Sequence, residues 1–116
     1  WIINIASYAG KAGLAGSGGY SASKFAVVGL TQTLAEEGAR FGIRAAAICP
    51  AFVNTAIHAS RPPVAPERMI QPCDVASAVL FLLGLSEQAS VKEVVIELVG
   101  GLSGAARNAS DAGGGC

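Results

Sequence analysis

Ile43-Arg44-Ala45-Ala46-Ala47-Ile48-Cys49-Pro50 is the stretch on which the fold turns. It is apolar apart from Arg44 and stops at a proline, which cannot donate to a hydrogen-bond ladder, so it reads as a buried strand ended by Pro50. Working outward, Phe25, Val27, Val28, Leu30, Leu34 and Ala35 recur at helical spacing and predict a helix from Tyr20 or Ser21 to about Arg40, with Gly38 and Gly42 at its end. Glu36 and Arg40, four apart, predict an exposed ion pair on that helix. Gly29 costs about 1 kcal/mol in a helix interior unless another element packs closely there, so a close approach is expected. On the other side, Pro72-Cys73-Asp74 opens a second helix carrying Val75, Val79, Leu82 and Leu83. The outermost pieces, Trp1 to Ser7 and Glu93 to Val99, are runs of β-formers, the second closed by Gly100-Gly101. Strand, helix, strand, helix, strand is the order of a parallel α/β sheet with right-handed crossovers.

The connections follow from composition. Tyr8 to Gly19 holds Gly10, Gly13, Gly16, Gly18 and Gly19 and predicts a loop. Phe52 to Pro66, with Arg61-Pro62-Pro63 and Ala65-Pro66, predicts a structureless connection or a lid. Residues 1–101 form the folded unit, and residues 102–116, mainly Gly, Ala, Ser and Asn, predict a disordered tail.

Of the 116 residues 52% are hydrophobic and 14% charged, enough to bury a core. Eight basic residues balance eight acidic ones, which removes the basic face expected of a nucleic-acid or anionic-membrane partner. The longest apolar run, Val75 to Leu85, is too short for a membrane span. Cys49, Cys73 and Cys116 form no Cys-x-x-Cys pair and stand with a single histidine, His58, so neither a disulfide framework nor a metal site is expected. Reduced thiols and the lack of a visible signal point to the cytoplasm, and an opening at Trp1 rather than methionine points to a fragment.

The chemistry-bearing residues are Ser7 at a strand end, Tyr20 thirteen positions later and Lys24 four beyond it. Residues four apart share a helix face, which sets the Lys24 ammonium beside the Tyr20 ring. A phenol is a poor base near neutrality, and an adjacent cation favours its phenolate. Such a tyrosine exchanges a proton with an alcohol or ketone oxygen, while a nearby serine hydroxyl orients that oxygen. Tyr-x-x-x-Lys alone marks no more than a half-exposed helix; its company of Ser7 and Pro50-Ala51-Phe52-Val53-Asn54-Thr55 makes it specific.

With these residues in order, the chain from about Ile2 to Gly101 resembles the short-chain dehydrogenase/reductase family. Asn4-Ile5-Ala6-Ser7 is similar to the family's Asn-x-[Ser/Ala]-Ser strand, and Tyr20-Ser21-Ala22-Ser23-Lys24 to its Tyr-x-[Ala]-[Ser]-Lys motif. Pro50 to Thr55 is similar to Pro-Gly-x-Val-x-Thr, Gln71 to Ala76 resembles a Pro-Glu-Asp-Val-Ala helix start, and Val99-Gly100-Gly101 a closing Asp-Gly-Gly. The resemblance implies the C-terminal portion of a doubly wound Rossmann-type parallel sheet. It also implies hydride transfer between NAD or NADP and a small-molecule alcohol or ketone, with Ser7, Tyr20 and Lys24 catalytic. Tyr20, Lys24, Pro50, Val53 and Thr55 would face the cofactor, Lys24 holding its nicotinamide ribose. A homodimer or homotetramer is implied for the full-length protein.

The departures bear on this. Ala51 replaces a glycine and would be strained if that position needs positive φ. Cys73 and Val99 replace acidic residues, and the family's Gly-rich phosphate turn has no counterpart, since Gly16-Ser17-Gly18-Gly19 precedes the tyrosine rather than following a first strand. The fragment alone is therefore expected to be inactive. Two other readings stand beside the oxidoreductase: a lyase or epimerase using the same Tyr and Lys, and a truncated, non-catalytic association unit. His58, Arg61 and Arg68 read first as solvated residues, and Tyr8 as pocket lining or loop cover in equal measure.

Overall fold

In the computed structural model, which describes residues 1–101, three strands form one parallel sheet in the order β1 (Ile2–Ile5), β2 (Ala45–Pro50), β3 (Glu93–Ile96). Ile2 pairs with Ala45 and Ile5 with Ile48; Ala47 pairs with Glu93 and Pro50 with Ile96. Every residue of β2 is buried. Pro50 closes the strand from within it, because its missing N–H falls at the last rung.

Helix α1 (Gly18–Gly38) joins β1 to β2, and α2 (Pro72–Leu83) joins β2 to β3. Alternate residues of β2 separate them. Ala47 and Cys49 pack with Ala6 and Val28 of α1, whereas Ala46 and Ile48 pack with Leu82 of α2. The helices therefore cover opposite faces, as a doubly wound sheet requires. Strand order advances in one direction while the helix changes face, so the two crossovers have opposite hands and cannot both be right-handed as expected. The long connection from Ala51 to Gln71 takes the chain to the second face before α2 begins. Its two ends are tied together by the bridge between Val53 and Ile70.

Several local expectations are corrected. Helix α1 begins at Gly18, inside the region read as loop, and ends at Gly38, followed by a 3-10 turn (Ala39–Phe41) closed by Gly42 at φ 70°. Another 3-10 turn (Tyr8–Gly10) follows Ser7, and two more (Ala56–His58, Pro66–Arg68) punctuate the stretch expected to be structureless. Strands β1 and β3 are shorter than their β-forming runs. Gly29 is exposed, and a Cβ there would meet nothing within 4 Å, so no packing explains it among the described residues. Glu36 pairs with Lys92, not with Arg40, whose guanidinium lies over the Phe41 ring. No non-glycine residue in residues 1–101 has positive φ, so Ala51 sits without the strain its substitution for glycine suggested. The predicted tail, residues 102–116, lies outside the described residues.

Helix α2 is well founded. Pro72 occupies its first turn, and the Asp74 carboxylate accepts the Gln71 backbone N–H at 2.8 Å. Leu82, fully buried, contributes about 2–3 kcal/mol of apolar burial against Ala46 and Ile48. At the amino end of the sheet Arg44 stacks 4.3 Å from the Trp1 ring and donates to the Ser86 and Ala89 carbonyls, while the Trp1 indole N–H is buried without a partner among the described residues.

Candidate active site

The site is built at the carboxyl edge of the sheet. Parallel strands deliver Ser7, just past β1, and Pro50, ending β2, to the same edge. A crossover helix runs back against the strands, so the amino end of α1, with Tyr20 and Lys24, meets them there. The Lys24 ammonium lies 5.5 Å from the centroid of the Tyr20 ring, within cation–π range. The tyrosine is half exposed, so the phenol is open to a ligand.

Ser7 is in extended backbone and caps the 3-10 turn that follows. Its Oγ accepts the Ala9 N–H at 3.1 Å, and its carbonyl accepts Gly10 N–H at 2.8 Å. With Oγ holding an acceptor role, the hydroxyl hydrogen remains to donate outward. Gly10 brings this turn onto the helix: a Cβ there would lie 2.8 Å from the Lys24 carbonyl oxygen and 2.9 Å from Val28 Cγ2. Only glycine lets the Ser7 turn lie on the helical turn that carries Lys24.

Asn4 and Thr31 are a missed pair. Asn4 Nδ2 donates to Thr31 Oγ1 at 2.9 Å, and that hydroxyl donates to the Val27 carbonyl at 2.7 Å, tying β1 to α1 below the site. A lone threonine in an amphipathic helix carries no sequence signal for this; its near-complete burial does.

The residues expected to face the cofactor lie one strand over. Pro50 is buried at the sheet edge, and Val53 is held by backbone pairing with Ile70. Thr55, exposed, lines a cavity of about 440 Å³ with Asn54, His58 and Met69. His58, half-buried, meets Phe52 edge to face with ring centroids 5.8 Å apart. A second cavity, of about 430 Å³, lies between Val64 to Asp74 and Ile96 to Val99, and includes Arg68. Neither is lined by Ser7, Tyr20 or Lys24. Tyr8, with Ala51, Glu97, Leu98 and Gly101, lines a recess of about 100 Å³ beside the Ser7 turn. Arg61 is exposed and lines neither larger cavity. The structure thus packs the Ser7 turn on the helical turn of Lys24, which stands over the Tyr20 ring, while Val53 and Thr55 lie on the loop that follows β2.

Beneath Ser7, Cys49 is fully buried. Burial foremost, helped by the Glu93 charge, pushes its thiol above the ordinary range, so it packs as a small apolar group. Cys73 is an exposed free thiol.

The family model for short chain dehydrogenase matches residues 1–64. This chain belongs to the short-chain dehydrogenase family. It is similar to the (3R)-3-hydroxyacyl-CoA dehydrogenase of Canis lupus familiaris, 38% identical over 110 residues, covering 87% of this chain and 42% of that protein. It is also similar to a putative ketoacyl reductase of Streptomyces coelicolor, 37% identical, covering 87% of this chain and 46% of the relative. Among solved structures, the betaketoacyl-ACP reductase of Bacteroides thetaiotaomicron superposes with a TM-score of 0.70 at 39% identity, covering 84% of this chain and 40% of that one. An actinorhodin polyketide ketoreductase with NADPH gives 0.72 at 34% identity, covering 82% and 44%. The chain spans less than half the length of these curated relatives. No helix in residues 1–101 is long and apolar enough to cross a membrane.

Proposed function

We propose that residues 1–101 are the C-terminal half of a short-chain dehydrogenase domain and carry the proton relay of an NAD(P)-dependent oxidoreductase interconverting a secondary alcohol and a ketone. The observation that carries this reading is the Lys24 ammonium 5.5 Å from the Tyr20 ring, on the helical turn against which the Ser7 turn packs at Gly10, with the serine oxygen already held by Ala9 N–H. The Ser7 O–H donates to the substrate oxygen and fixes it. Tyr20 gives that oxygen a proton in reduction and takes one in oxidation. Lys24 stands over the same ring, 5.5 Å from its centroid, as a fixed positive charge beside the proton transfer.

The nicotinamide cofactor, when bound, supplies the hydride. The residues present fit its nicotinamide end: Lys24 stands at the sheet edge, and the Thr55 hydroxyl opens on a cavity shared with Asn54. Solved relatives with NADPH and with NADH support a dinucleotide of either kind. Relatives named for hydroxyacyl-CoA and ketoacyl substrates support a 3-oxoacyl or 3-hydroxyacyl thioester. A homodimer or homotetramer through α1 is supported by Phe25 and Leu30, which stand about half exposed. Cytoplasmic residence is supported by the free thiols of Cys49 and Cys73.

The chain by itself turns over no substrate in this reading, so the test restores the dinucleotide-binding half. Residues 1–101 replace the matching part of the canine relative, and nicotinamide absorbance is followed with a 3-oxoacyl thioester. Tyr20→Phe should lower turnover about a hundredfold or more with folding retained. Equal turnover in the two proteins would end the proposal. The outer edge of β1, open among the described residues and with Ile2 and Ile5 exposed, favours the non-catalytic association unit as a second reading. That reading gains if the folded chimera neither binds NADH nor turns over.

A further inference from the structure

We propose that Lys11, Glu93 and Gln32 form a clasp that sets the position of the Ser7 hydroxyl, a role that rests on the proton-relay reading above. Glu93 opens β3 and pairs with Ala47, so it faces the α1 side of the sheet. One carboxylate oxygen accepts Lys11 Nζ at 2.6 Å and the other accepts Gln32 Nε2 at 3.0 Å. A single carboxylate thus joins three pieces of the chain: β3, α1 and the turn after Ser7.

The connection from Lys11 back to Ser7 is stiff. Lys11 N–H donates to the Tyr8 carbonyl at 2.9 Å, Gly10 N–H to the Ser7 carbonyl, and Ala9 N–H to Ser7 Oγ. Displacing Lys11 therefore displaces the serine oxygen. Beyond Lys11 the chain is glycine-rich, and a Cβ at Gly13 or Gly16 would meet nothing within 4 Å, so that stretch offers little restraint of its own. The Lys11 and Glu93 side chains keep about a third or less of their surface exposed, at 35% and 22%. Lys11 and Glu93 are positioning residues: they act on Ser7, not on substrate.

The test is amide hydrogen exchange on the whole chain, which needs no turnover. Lys11→Met and Glu93→Gln should each speed exchange of the Ala9 amide about tenfold, while the β2 amides of Ala47 and Ile48 keep their protection. The double variant should exchange no faster than either single one, and the reversed pair, Lys11→Glu with Glu93→Lys, should restore protection. Unchanged Ala9 exchange in both single variants overturns the proposal, as does equal acceleration at Ala9 and in β2, which would make the pair a general brace. Should Lys11→Met not fold, Lys11→Arg against Glu93→Gln gives the same comparison, with protection kept in the first and lost in the second. Loss of the clasp would leave the Tyr20→Phe outcome standing, and equal turnover in that experiment would leave the clasp standing.

Discussion

Ser7, Tyr20 and Lys24 announce themselves because their chemistry and spacing are unusual together, whereas the residue that lets the Ser7 turn meet the helix has no side chain at all. Gly10 is one of five glycines between Ser7 and Tyr20, and nothing in the order of residues separates it from the other four. Only the approach of the Lys24 carbonyl to its missing Cβ does so. Gly10→Ala should cost about 1–3 kcal/mol in urea unfolding, the usual penalty of forcing atoms into a packed contact. In the chimera it should also depress turnover and, because the clash falls on the Lys24 carbonyl, weaken NADPH binding with it. Gly13→Ala, with open space around it, should do neither. Lys11 and Glu93, far apart in sequence, were equally unreadable, because an ion pair between a turn and a distant strand depends on a tertiary placement that composition does not disclose.

Among the elements, β2 and both helices were legible from periodicity and apolar runs, and their ends were not. Helix α1 extends back over the exposed Gly18 and Gly19 through backbone bonds such as the Ser21 N–H to the Ser17 carbonyl, and the weak helix propensity of glycine hid that first turn. The β3 element carries its own pH dependence. Bonds from Lys11 and Gln32 hold the Glu93 carboxyl below its ordinary value of 4.5, so its contribution to stability is present above that value and lost as pH falls through the depressed one. The same pair raises Lys11 above 10.5, so its share is present below that value and lost as pH rises through the folded one. Urea midpoints measured downward from pH 6 should fall more steeply for the parent than for Glu93→Gln; parallel curves would show that Glu93 contributes nothing to acid sensitivity.

At the scale of the whole molecule, the parallel order of the sheet was legible and the hand of its crossovers was not. Hand depends on which face a helix takes, and the apolar stripe of α2 would suit either. Among the described residues the outer edge of β1 is unpaired and flanked by Ile5 at 49% exposure, so the isolated chain should self-associate. Ile5→Lys should shift light scattering toward the monomer, as an edge charge does in sheets at large. A mixture that stays associated would place the contact elsewhere, at exposed Phe25 and Leu30 of α1.

The three successive alanines of β2 have a mechanical consequence. Ala47 separates α1 from the sheet by a single methyl group, so it acts as a shim whose thickness sets how far the Tyr20–Lys24 turn stands from Ser7. A larger residue there would lift the helix as a jack lifts a beam, and the site would open although none of its own residues had been altered.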